Sequence, residues 1–276
     1  MKGAEQHYKL EELTFNHFSK PGGFANLFKV YLETVPINAK GEKGLIVNTV
    51  GKQQKNLKYF LNWSFENNKC STFSIKHIVP VSEEVDHVYL TNSEILKLIE
   101  FKDLTAEEII VRDLFVIGCE TGLRFSDFSS LKPNHILSQD ISKYQTKTKT
   151  KVDIPINTRC RAILMKYNNK LPNLDRDELT QFNKTIKEIC KRAKIDENVV
   201  LLKTVDGVKK ELYFKKYELI SSHTCRRSFC TNRFLAKIPV KVIMAISGHK
   251  SEASFMKYLK LGNLELVDTH REALMA

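Results

Sequence analysis

Residues 221–234 read S-S-H-T-C-R-R-S-F-C-T-N-R-F, and residues 246–259 read I-S-G-H-K-S-E-A-S-F-M-K-Y-L. His223 and Arg226 stand three residues apart, so a helix carries them on one face. His249 precedes Tyr258 by nine residues, across the helix-ending residue Gly248. These side chains suit chemistry on a phosphodiester. Cationic groups hold the non-bridging oxygens, a histidine moves a proton, and a phenol attacks phosphorus and keeps it as a covalent ester.

Upstream, C-E-T-G-L-R-F-S-D-F-S-S-L (119–131) predicts a helix that stops at Gly122 and another that starts just past Arg124. Between the two regions lies Q-T-K-T-K-T-K-V-D-I-P-I (145–156), read as an alternating strand from Val152 to Ile156 after a basic turn carrying Lys147, Lys149 and Lys151. Such a hairpin tip delivers a lysine into a groove. In this order, T-G-L-R-x-S-D, a hairpin lysine, H-x-x-R, G-H and a tyrosine resemble the tyrosine recombinase (phage integrase) family, over most of residues 87–262. Short pairs such as H-x-x-R arise by chance; the ordered set of five does not. Two features depart from the pattern. Arg227 stands where many members carry histidine, and the hairpin offers three lysines where the family needs one. Counting back from Ile154-Pro155-Ile156 favours Lys147 as that lysine, with Lys149 as the alternative.

The resemblance implies a mainly α fold with small β-hairpins (α+β). A helical core-binding domain over residues 1–84 would precede a catalytic domain over 85–276 that ends in a tail. It implies a site-specific recombinase of a mobile genetic element, acting in DNA integration or excision through a 3′-phosphotyrosyl link. Arg124 and Arg226 would hold the scissile phosphate, Tyr258 attack it, and His223 assist proton removal. Lys147 would protonate the departing 5′-oxygen, and His249 donate to the phosphate. Asp127 is read as a partner that holds Arg124, or as an ordinary first-turn acid. Lys149, Lys151 and Arg227 are phosphate contacts or solvated charge. No cofactor and no metal are implied. The energetics fit a cationic site: a free phenol has a pKa of about 10, so roughly one in a thousand is ionised at neutral pH, a deficit of about 4 kcal/mol. Positioned donors offset such deficits, each being worth about 10²- to 10³-fold in rate.

Taken singly, each residue has a plainer reading. Tyr258 would be a half-buried helix aromatic, Arg124 an ion-pair partner at a helix start, and His249 a polar group at a helix end. Two rival functions also stand: a type IB topoisomerase, which shares the chemistry, and a non-catalytic DNA-binding protein with a decayed site.

The composition agrees with a polyanionic partner. Lys and Arg number 44 against 32 Asp and Glu among 276 residues, an excess of 12 positive charges. Double-stranded DNA fits better than a membrane surface, because the chain has no apolar run of about 18 residues and no signal-peptide pattern. A cytoplasmic, nucleoid-associated protein is expected. Six cysteines, at 70, 119, 160, 190, 225 and 230, show neither C-x-x-C nor finger spacing, so reduced thiols are expected. Cys119, Cys190 and Cys225 read as core residues.

The first domain reads as a helical bundle. Phe24, Leu27, Phe28, Tyr31 and Leu32 form one stripe, in a helix that ends before Pro36. Leu57, Phe60, Leu61 and Phe65 form another, with Lys52, Lys55 and Lys58 largely off it as candidate DNA contacts. The break falls in P-V-S-E-E-V-D-H, residues 80–87. Thr91 with Glu94, and Thr105 with Glu108, predict capping boxes. Leu179, Phe182, Ile186, Ile189 and Ala193 form a further stripe; a hairpin turning at Asp206-Gly207 follows. Pro239 opens the helix that stops at Gly248, and Ser251 caps a helix expected to carry Tyr258. No arm-binding domain is evident ahead of the first helix. The apolar set Leu261, Leu264, Leu266, Val267, Leu274 and Met275 is read as a tail that docks on a neighbouring protomer, within a tetramer on paired sites.

Two outcomes follow from charge and chemistry. Duplex binding should weaken by roughly 0.9 log units per log unit of salt for each phosphate neutralised, which a salt titration of gel-shift affinity measures. Covalent cleavage of a nicked duplex should persist in excess EDTA.

Overall fold

The structure is a computed structural model that describes residues 1–9, 13–36, 43–71, 74–83, 88–205, 208–259 and 275. The chain divides into two compact units, Met1–Val85 with Lys203–Lys210, and Asp86–Leu202 with Glu211–Ala276. The fold is mainly helical, with two separate two-stranded sheets.

In the first unit, α1 (Lys2–His7), α2 (Phe24–Thr34) and α3 (Val47–Glu66) enclose Phe18, Phe24, Phe28, Leu32, Val50, Leu57 and Leu61. The buried columns are narrower than the sequence stripes. Leu27 and Phe60, expected inside, are 36% and 43% exposed, because each helix of so small a bundle has few neighbours and buries little beyond one column of side chains. Phe60 stacks instead between Phe15 and Trp63, at 6.1 and 6.4 Å. Lys52 and Lys55 lie exposed on α3, and Lys58 is partly covered.

The second unit is built around α5 (Ala106–Thr121), whose residues Asp113–Thr121 are buried on every side. Its cap is the expected one: Thr105 Oγ1 accepts the Glu108 N–H and Glu108 Oε2 accepts the Thr105 N–H. The same device starts α4 (Asn92–Glu100) at Thr91 and Glu94. Around α5 pack α4, α7 (Thr158–Lys166), α8 (Leu179–Arg192) and α10 (Ser222–Leu235). The short helices α6 (Phe125–Phe128) and α9 (Lys216–Leu219) complete this part of the chain. α10 is the most extensive neighbour of α5. The two helices meet at Gly118, where a Cβ would stand 2.9 Å from the Cβ of Cys225. Cys119, Cys190 and Cys225 are buried, as expected, and all six thiols are unbonded.

Strands β1 (Asp140–Tyr144) and β2 (Lys151–Pro155) pair antiparallel with Ile141 opposite Ile154 and Lys143 opposite Val152. Lys151 is thus the first strand residue, paired with Tyr144, and not part of the turn where the sequence placed it. Strands β3 (Asn198–Val205) and β4 (Val208–Lys215) form the second sheet; the expected turn at 206–207 lies outside the described residues. After α10, α11 (Val240–Ser247) ends at Gly248 and α12 (Glu252–Met256) starts from the Ser251 cap. Tyr258 does not ride on α12. Its N–H turns back to the Phe255 carbonyl at 2.7 Å, so it sits in the tight turn just beyond the helix.

Gly122 ends α5 with φ at 68°, and a Cβ there would stand 2.5 Å from Phe229. Gly122→Ala therefore combines backbone strain with a clash. We expect it to destabilise the protein by about 2 kcal/mol or more in urea unfolding.

Candidate active site

Four local devices aim the site's side chains. Gly122 turns the chain out of α5, so that Arg124 caps α6 with extended backbone while its carbonyl accepts the Asp127 and Phe128 N–H groups. The first turns of α10 carry His223, Arg226 and Arg227. Gly248, with φ at 71°, ends α11 and delivers His249. The β1–β2 turn carries Lys147 and Lys149, both exposed, and closes when the Lys149 N–H reaches the Gln145 carbonyl.

Arg226 is wholly buried. Its Nη1 donates to the Gly122 carbonyl at 2.7 Å and to the Ser247 carbonyl, while Nη2 lies 3.1 Å from His249 Nε2. Nε has no protein partner. The guanidinium carbon stands 5.4 Å from the centre of the Tyr258 ring, which meets the His249 ring edge-on at 4.7 Å. His249 Nδ1 is 2.7 Å from Ser247 Oγ, which itself donates to the Ile243 carbonyl. Ser247 Oγ therefore accepts from Nδ1–H, and Nε2 is left to accept from Arg226. That assignment follows from the geometry of the network.

Electrostatics agree. Burial first, then Arg226 and Arg124, bring the His249 pKa down to about 3, so the ring is neutral at pH 7. His223 is lowered by desolvation and then by Arg227, Arg124, Arg226 and Lys147, which places all four cations within its field. Burial brings Arg226 down to about 10, helped by the positive charge of Arg124, and still leaves it charged at neutral pH. Arg227, half-buried, is lowered by desolvation and raised by Tyr258.

Five of the expected residues, Arg124, Lys147, His223, Arg226 and His249, thus cluster with Tyr258. Lys52, Lys55 and Lys58 belong to the first unit. Lys151 is engaged with Asp153 at 3.6 Å on the strand. Asp127, read either as a partner of Arg124 or as a first-turn acid, stands in the first turn of α6 and accepts the Thr146 N–H at 2.7 Å, which fixes the turn beside Lys147. Arg124 finds its acceptor in Gln145, with Nη1 at 2.7 Å from Oε1. Sequence reasoning passed over Gln145. The period-two alternation of β1, with Ile141, Lys143 and Gln145 all inward and buried, is the signal that marks it.

Fold and site together are those of a tyrosine recombinase. The phage integrase family model matches residues 88–263, and the chain belongs to that family. No curated protein sequence is significantly similar to it. Among solved structures, a lambda integrase dimer bound to a COC′ core site superposes with a TM-score of 0.66 at 14% identity, over 95% of this chain and 88% of that one. XerH site-specific recombinase, in a post-cleavage complex with a palindromic difH substrate, gives 0.68 at 14% identity, over 100% and 76%. The Tn1549 transposon integrase in complex with transposon right end DNA gives 0.60 at 17%, over 100% and 91%.

A neutral, buried His249 has a consequence for pH. Its pKa falls from 6.5 to about 3 on folding, so below pH 6.5 the unfolded chain binds a proton that the folded chain refuses. Stability carried by this residue is present above pH 6.5 and drains away as pH falls toward 3. The His249 ring resonances should accordingly stay unmoved from pH 8 to pH 5 in an NMR titration.

Proposed function

We infer that this protein is a site-specific DNA recombinase that cleaves and rejoins strands through a covalent 3′-phosphotyrosyl intermediate. The observation that carries this reading is Arg226. Two structural carbonyls consume its Nη1, yet its Nε–H is buried without a protein acceptor, on the guanidinium edge it shares with Nη2. Such an edge matches two oxygens of a phosphate. Tyr258 lies against the same guanidinium, and Arg124 is held nearby.

In this mechanism Arg124 and Arg226 hold the scissile phosphate. The Tyr258 oxygen forms a bond to phosphorus and the P–O5′ bond breaks. The phenol proton goes to His223, exposed on α10, whose pKa partial desolvation and four neighbouring cations lower, so that the ring is free to accept it at neutral pH. Lys147 supplies a proton to the departing 5′-oxygen. His249 orients Arg226 through Nε2; donation from His249 to a phosphate requires its proton on Nε2 instead of Nδ1. Asp127 steadies the Lys147 turn through Thr146, and Lys149 and Arg227 contact flanking phosphates. A 5′-hydroxyl from a second duplex then attacks the phosphotyrosyl link, and rejoining needs no nucleotide cofactor.

The first unit serves as the core-binding domain, with Lys52, Lys55 and Lys58 toward the DNA backbone, and the second as the catalytic domain. The similar structures support recombination over a topoisomerase or an inactive DNA binder: they are integrases and recombinases, one of them a lambda integrase tetramer on a Holliday junction. A tetramer on paired sites is the working assembly. The tail assigned to protomer docking lies, apart from Met275, outside the described residues. No helix among the described residues is long and apolar enough to cross a membrane, and a place beside cytoplasmic DNA suits the reaction.

Tyr258→Phe should bind duplex DNA like the wild type and form no denaturation-resistant adduct on a nicked target. A persistent adduct would remove Tyr258 as nucleophile. Arg124→Ala should slow cleavage by about 10²- to 10³-fold. A substrate with sulfur at the 5′-bridging position should rescue Lys147→Ala but not Arg124→Ala, since a thiolate leaves without a proton.

A further inference from the structure

Gln145 is fully buried at the mouth of the β1–β2 turn, and its amide is engaged at both ends. Oε1 accepts from Arg124 Nη1 at 2.7 Å and from Thr148 Oγ1 at 2.9 Å, while Nε2 donates to the Ser247 carbonyl at 2.8 Å. That carbonyl also takes Arg226 Nη1. One amide therefore joins Arg124 to the main-chain atom that fixes Arg226. It also lies in the turn that carries Lys147, where its own backbone N–H bonds the Thr150 carbonyl and its carbonyl takes the Lys149 N–H. The packing is made for this contact. A Cβ on Gly248 would stand 2.7 Å from both Nε2 and Oε1 of Gln145, so a glycine there leaves the amide its place.

A shorter or apolar side chain cannot make this link. Arg124 would then lose the acceptor that fixes its rotamer, and the Ser247 carbonyl would keep only Arg226. Catalysis by a held phosphate depends on sub-ångström placement of its donors, and a misplacement of about 1 Å costs roughly 10²-fold.

We propose that Gln145 is a positioning residue for strand cleavage, one that sets the Arg124 guanidinium against the scissile phosphate by anchoring it to the Ser247 carbonyl. The proposal rests on the recombinase reading above and adds a residue to its machinery. Gln145 touches neither the phosphate nor the nucleophile; it acts through Arg124.

The test is single-turnover formation of the Tyr258 adduct on a nicked duplex at saturating protein, with affinity followed by gel shift. Gln145→Met, close in volume, should slow cleavage by about 10²-fold with duplex affinity unchanged. A purely structural role predicts the same loss whether or not Arg124 is present, so the deciding measurement is a double-mutant cycle. In an Arg124→Ala background Gln145→Met should cost at least roughly tenfold less than it does alone, and a smaller coupling overturns the proposal. Should Gln145→Met fail to fold, Gln145→Glu takes its place in the cycle. It keeps an acceptor for Arg124 and sets a carboxylate oxygen against the Ser247 carbonyl in place of the donor, and a wild-type rate there also overturns the proposal. The two readings fail differently. If the wild type makes no adduct, the recombinase reading falls and the positioning role with it; a wild-type adduct with an unaffected Gln145→Met defeats the positioning role alone.

Discussion

A single buried guanidinium is held between the ends of two helices. Arg226 Nη1 bonds the carbonyls of Gly122 and Ser247, the first just past the end of α5 and the second the last residue of α11. Both ends are exposed by a left-handed glycine, at 122 and at 248. Helix C-termini carry partial negative charge from unpaired carbonyls, so a cation there satisfies acceptors and complements two macrodipoles at once. This offsets the desolvation that lowers Arg226, and it keeps the charge in place at neutral pH. Because α5 is the central helix and α11 carries the loop to His249 and Tyr258, the same bonds tie the Tyr258 segment to the core.

The cost of gathering cations is borne by the histidines. Desolvation acts first on both rings, on exposed His223 as well as buried His249, and Arg124 and Arg226 then act on both, with Lys147 and Arg227 acting on His223 too. Both rings are held neutral as a result. Neutral histidine is the useful form, since it can accept a proton or orient a donor without adding charge to an already crowded cleft. Coulomb attraction for a phosphate grows as the local dielectric falls, and buried charge is screened little by salt.

What could be read from sequence was what local chemistry decides. The capping boxes at Thr91 and Thr105 and the glycine stops at 122 and 248 each play out within about four residues, and so does the His223–Arg226 face. Leu27 and Phe60 were misplaced because periodicity names the apolar face of a helix without saying how many neighbours will cover it. Tyr258 was put on α12, but a helix end is settled by one carbonyl, here that of Phe255, and not by the pattern. Asp127 meets the Thr146 N–H, and the unforeseen Gln145 meets Arg124, for the same reason. Arg124 lies 21 residues from Gln145, and Ser247 lies 102 residues from it. No spacing rule reaches across such distances; only the register of β1–β2 against α11 brings them together.

The donors of Arg226 explain how one residue serves both fold and chemistry. A guanidinium has five N–H groups. Nη1 spends its two on the Gly122 and Ser247 carbonyls, and Nη2 turns one toward His249. The structural bonds fall mainly on the Nη1 end, and Nε, beside Nη2, is a buried nitrogen with no protein acceptor. Leaving a buried donor unmade is unfavourable by about 1–3 kcal/mol, which a folded protein ordinarily avoids. In the reaction proposed above, a phosphate oxygen would regain it on binding. On that reading the guanidinium would not have to surrender its helix-end carbonyls to meet a phosphate, so the core that holds Tyr258 would stay intact during the reaction.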